Sequence, residues 1–118
     1  YMRAHKDTFD GEELQPSVFR FRESQQFKES ADWAGFDGRT PSDTRQDAKI
    51  PQDNAVISLP VGPVRQIQGL GVEHVPIPTN RAHCHIVGDP VVCKDRGQLV
   101  KIRFKLLELA VVVIRLSE

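Results

Sequence analysis

Apolar and polar positions change rhythm several times along this chain, and each rhythm predicts an element. Ser17 to Arg22 alternates, with Phe19 and Phe21 on one side and Arg20 and Arg22 on the other, which predicts a half-buried strand over 17–22. Ala55-Val56-Ile57-Ser58-Leu59 predicts a second strand, closed by Pro60. Two more are predicted over 70–75 and 82–87, joined by the stiff Pro76-Ile77-Pro78-Thr79-Asn80 connection. Thr40-Pro41-Ser42-Asp43 has the order of a helix start: a capping hydroxyl, a proline at the first helical position and an acid facing the free amides. It predicts a short helix over 41–48, limited by Pro51.

The last third carries two overlapping periods. Val100 to Leu106 alternates like a strand, yet Leu99, Ile102, Leu106 and Leu109 also fall on one helical stripe, with Gln98, Lys101, Lys105 and Glu108 opposite. Length favours a helix over about 95–109, since strands average about 5–6 residues. Residues 110–116 then form a closing strand. Elsewhere the periods fade. Residues 1–16 are polar and irregular with a turn at Phe9-Asp10-Gly11-Glu12, 23–39 is a packed loop holding Trp33 and Phe36, and 62–67 is at most one helical turn. The sum is an α+β fold: a single domain over 1–118, with a small, mainly antiparallel or mixed sheet, one short helix and one longer one.

Composition narrows the function classes. At 118 residues and 39% hydrophobic, the chain suits one domain with a core of its own. Its longest apolar run, Leu109 to Ile114, is far short of a membrane span, and the first residues carry no apolar signal-peptide region. Net charge is zero, so no global field draws in nucleic acid. That neutrality hides an imbalance. Residues 1–59 hold eight Lys/Arg against eleven Asp/Glu, and 60–118 hold eight against five. Seven of the eight aromatic residues lie in the first third, which places core bulk at the acidic end. Two cysteines, Cys84 and Cys93, are too few for a disulfide framework and fit reduced thiols in a cytoplasmic setting.

Strong catalytic signatures are missing. Gly69-Leu70-Gly71 precedes a strand instead of opening a helix, and there is neither a phosphate-binding P-loop nor a nucleophile elbow. Weaker constellations remain. His83-Cys84-His85 on a strand puts both imidazoles on one face, but lacks the paired short spacings of a zinc site. His83 follows a rigid segment in which Asn80 can hold a turn and Arg81 supplies a cation, an arrangement suited to acid–base work or anion binding. The bland alternative is a histidine that satisfies nearby backbone groups. Arg3, His5, Ser17 and Arg20 form a second set: guanidiniums bind phosphate bidentately, and hydroxyl or imidazole groups can complete an anion site. Acidic residues such as Asp32 and Asp37 read as surface charge.

These elements resemble a family of small bacterial proteins with no established activity. The resemblance is carried by Tyr1, Arg3 and His5, by Ser17-Val18-Phe19-Arg20, by Ser30-Ala31-Asp32-Trp33, by Thr40-Pro41, and by Pro76, Pro78, Asn80, Arg81, Ala82, His83 and Gly88. It runs over nearly the whole chain and implies one domain in a prokaryotic, cytoplasmic setting. His85, Cys84 and Cys93 lie outside its pattern. The expected function is a binding module for a protein partner or a small anionic ligand, without cofactor, resident metal, nucleic acid or membrane. Its competitor is a small enzyme acting on a phosphorylated or nucleotide-like substrate. There Arg3, Ser17, Arg20, Asn80 and Arg81 would hold the anion, with His83 or His5 as acid or base.

Overall fold

The computed structural model describes residues 1–118 as an α+β fold with antiparallel sheets. Its strands are β1 (Met2–His5), β2 (Phe9–Asp10), β3 (Glu13–Leu14), β4 (Lys28–Asp32), β5 (Asn54–Ser58), β6 (Leu70–His74), β7 (His83–Gly88) and β8 (Val111–Ile114). The helices are α1 (Pro41–Gln46), α2 (Val61–Gln66), α3 (Pro90–Lys94) and α4 (Arg96–Leu109). The single expected sheet is two three-stranded sheets, ordered β1-β5-β8 and β4-β7-β6, plus the β2-β3 ribbon. The two larger sheets are hydrogen-bonded to each other at one pair, where Tyr1 and Asp32 exchange backbone hydrogen bonds of 2.6 and 2.7 Å.

Local signals account for the helices. Thr40 and Asp43 form the reciprocal capping box that their spacing predicts, and α1 stops at Gln46, short of Pro51. Asp95 caps α4 by accepting from the Gln98 amide, so the helical period of 95–109 prevails over the strand period. On α4, Ile102 and Leu106 are buried one turn apart, with Leu99 and Leu109 flanking them. They meet Phe19, Phe21, Ile57, Val64 and Ile86 in one core. That core is tightly filled beside β7. A methyl group on Gly88 would sit 2.5 Å from Cys93 Sγ and 3.2 Å from the Phe27 carbonyl oxygen.

The expected strand over 17–22 does not form. Pro16–Val18 is a 3-10 turn, and Phe21 has a φ of +48°, outside the extended region. Phe19 and Phe21 still both point inward, as the alternation requires. Side chains, not a neighbouring strand, satisfy the backbone here. Glu29 Oε1 accepts from the Arg20 and Phe21 amides at 2.7 Å each, while Arg103 donates to the carbonyls of Phe19 (2.7 Å) and Arg20 (3.1 Å). Conversely, β1 and β4 lie in stretches expected to be irregular. Each is short, and Lys28-Glu29-Ser30-Ala31-Asp32 has no branched or aromatic alternation to reveal it. The capped helix α3, begun by Asp89 and Pro90, is a further element that periodicity does not show.

Candidate functional site

Beyond the Tyr1–Asp32 junction, β1 and β4 part, and a polar cleft of about 900 Å³ opens between them. The antiparallel ladder alternates which residues face which neighbour. Since Asp32 and Tyr1 face each other, the backbone groups of Ser30, Lys28 and Arg3 also turn toward this gap, with no strand opposite. The 76–80 connection and the loop carrying Arg20 close the sides. Five of the seven residues expected to form a site, Arg3, His5, Arg20, Asn80 and His83, line this one cleft. Ser17 and Arg81 do not line it. Ser17 is exposed in the 3-10 turn, and Arg81 is exposed and paired with Asp37 at 3.3 Å.

Asp32 forms the inner wall, where the sequence suggested surface charge. It is 7% exposed, and its two oxygens accept four hydrogen bonds. Arg39 gives two (3.0 and 2.7 Å), Thr44 Oγ1 one (2.7 Å) and Asn80 Nδ2 one (2.7 Å). Burial alone would raise its pKa, but the hydrogen bonds from Thr44, Arg39 and Asn80 outweigh burial and hold it below the ordinary 3.8. Arg39 also pairs with Asp47. One carboxylate thus ties β4, α1 and the proline-rich connection together. Asn80 is committed to this knot and to the Ala82 amide, so its role at the cleft is structural.

The two candidate imidazoles are oriented by their Nδ1 atoms. His5 Nδ1 accepts from the Asp7 amide at 3.1 Å, which leaves the proton of the neutral ring on Nε2. His83 Nδ1 lies 3.0 Å from the Val75 carbonyl, which can only accept, so Nδ1 carries the proton and Nε2 keeps its lone pair. Charge in the cleft is mixed. Asp32 and Asp47 are held by Arg39, and Lys28 lies 3.6 Å from Glu73. Arg3 and Arg20 are the cleft's two cations without a carboxylate partner.

His83 and His85 share a face of β7, with ring centroids 4.8 Å apart, while Cys84 projects to the other face. The tripeptide therefore does not converge, and no group of three or more His, Cys, Asp or Glu side chains is placed to hold a metal ion. Burial raises the pKa of both thiols, which keeps Cys84 and Cys93 protonated near neutrality. His85 Nδ1 is buried without a hydrogen bond, 3.7 Å from Glu73. Burial, aided by His83, lowers its pKa below the ordinary 6.5, and Glu73 only partly opposes this.

Of these groups, Asp32 and His85 bear on acid stability. A histidine whose folded pKa is lowered takes up protons more readily when unfolded, so its share of stability is lost as pH falls below 6.5. A lowered aspartate is likewise protonated first in the unfolded chain, so its share is lost as pH falls below 3.8. Thermal melting across pH is expected to show both declines, and His85→Gln should remove only the upper one. An upper decline that persists in His85→Gln would contradict this assignment.

An apolar cavity of about 510 Å³ also borders the junction, its lining interrupted by the side chains of Asp32, Arg65 and His74. No helix of the structure is long and apolar enough to cross a membrane. Comparison of the chain with protein-family models, with curated proteins and with solved structures finds no match.

Proposed function

We propose that this protein is a binding module whose cleft between β1 and β4 takes a small anionic ligand, with a phosphate or carboxylate group held by Arg3 and Arg20. The observation that carries this reading is that these two guanidiniums, neither with a carboxylate partner and Arg3 donating only to the Thr44 carbonyl at 3.3 Å, share one cleft with His5, His83 and strand-edge backbone groups. The volume of about 900 Å³ lies within the range of small-molecule sites, about 300–1,000 Å³. Two buried, unbridged cysteines suit a reducing compartment such as the cytoplasm.

Inorganic pyrophosphate, titrated calorimetrically, is the probe. Saturable binding is expected, weakened about tenfold by Arg3→Gln or Arg20→Gln, because a hydrogen bond to a charged group contributes about 1.5–3 kcal/mol. Both side chains are exposed, so the variants should fold. No binding at millimolar pyrophosphate, or unchanged affinity in both variants, would overturn the proposal.

One observation favours a second reading, a small enzyme acting on a phosphorylated or nucleotide-like substrate. His83 lines the cleft and is anchored through Nδ1, which leaves Nε2 of the neutral ring free to act as a base. Turnover of a phosphorylated compound that is lost in His83→Gln, with binding retained, would select the enzyme over the module.

A further inference from the structure

The apolar cavity adjoins the anion cleft, sharing Tyr1, Met2, Ala31 and Asp32 with it, but the rest of its lining is its own. Its walls are Met2, Leu59, Val64, Val72, Cys84 and Ile86, contributed by both sheets and α2. At about 510 Å³ it is large enough for a small ligand, and engineered apolar cavities of about 150 Å³ already bind benzene. Trp33 stands in the wall, 48% exposed, stacked on Phe36 at 4.9 Å, with His74 edge-on to both rings.

Three polar side chains interrupt this lining, and their states differ. Asp32 already accepts four hydrogen bonds, three on Oδ2 and one on Oδ1, and its charge is balanced by Arg39 at 2.7 Å. His74 is tied by Nε2 to the Arg81 carbonyl at 2.7 Å. Arg65, exposed in the last turn of α2, forms neither an ion pair nor a side-chain hydrogen bond and is the lining's uncommitted cation. An apolar chamber with one free guanidinium is complementary to a molecule with an apolar body and one negative head. We infer that this cavity binds a small amphipathic carboxylic acid, its hydrocarbon body between the sheets and its carboxylate on Arg65.

Trp33 is the chain's one tryptophan and therefore a built-in reporter. Its fluorescence is followed during titration with decanoate below micelle-forming concentrations, and separately with decanol. Decanoate is expected to produce a saturable change at lower concentration than decanol. Arg65→Gln should weaken decanoate about tenfold and leave decanol unchanged, whereas Arg65→Lys should retain most of the affinity. Arg3→Gln and Arg20→Gln should leave the decanoate titration unaltered, which separates this site from the anion cleft. The inference is overturned if decanoate gives no saturable change, if decanoate and decanol bind equally, or if Arg65→Gln binds decanoate like the parent.

Discussion

Asp32→Ala is expected to lower stability by about 3–5 kcal/mol, the usual cost of removing one member of a buried charged network. The reason lies in what stays behind. Arg39, with a side chain only 13% exposed, loses the partner that accepts two of its hydrogen bonds, and the buried Thr44 hydroxyl and the Asn80 amide each lose an acceptor. Domains of this size are stable by about 5–15 kcal/mol, so the variant should sit near the edge of folding. Chemical denaturation checks the magnitude. Asp32→Asn, which keeps one acceptor oxygen, should fall between parent and alanine variant. A double-mutant cycle with Arg39→Ala should be strongly non-additive, because removing both charges leaves neither buried alone. A loss below about 1 kcal/mol for Asp32→Ala would contradict the central role given to this carboxylate.

Glu29→Ala is the second large effect, at about 1–3 kcal/mol, because the amide of the buried Phe21 loses its acceptor, while the exposed Arg20 amide can turn to water. Phe21 has a φ of +48°, a conformation that costs a bulky residue energy and persists only where surrounding contacts enforce it. Without Glu29, Arg103 is the remaining side-chain clamp on this backbone, from its carbonyl side. Arg20 is carried on the same segment, so pyrophosphate binding should weaken together with stability. Glu29→Gln retains an acceptor oxygen and should lose less of both. Denaturant unfolding paired with calorimetry on the two variants measures this, and a Glu29→Ala protein as stable as the parent would remove the clamp from the account.

The same clamp explains where the sequence misleads. Alternation places Phe19 and Phe21 inside correctly, because burial is decided residue by residue. A strand over 17–22 also needs a neighbouring backbone, and Glu29 and Arg103 take that place from 8–9 and 83–84 residues away. No local pattern shows such a substitution. The helices α1 and α4 are legible because their caps lie within three residues of the amides they serve. By contrast β1 and β4 are hard to see: β1 alternates over only four residues, and β4 has no alternation at all.

The candidate site was legible as a list of residue types but not as a place. Arg3, His5, Arg20, Asn80 and His83 share a cleft because β1 and β4 separate beyond one hydrogen-bonded pair. Ser17 and Arg81 have the right chemistry on surfaces that face elsewhere. The sequence hides Asp32, because a lone aspartate between alanine and tryptophan looks like surface charge. Its partners Arg39, Thr44 and Asn80 lie 7, 12 and 48 residues away. No local spacing marks Asp32 as the centre of this network.

The anion cleft is tested most directly by titrating isotopically labelled protein with pyrophosphate and following every backbone amide by nuclear magnetic resonance. The account expects saturable shifts concentrated at Arg3, His5, Arg20, Lys28, Ser30 and His83, with the β8 and α4 amides still. Shifts scattered over the surface without saturation, or centred away from the gap between β1 and β4, would contradict it.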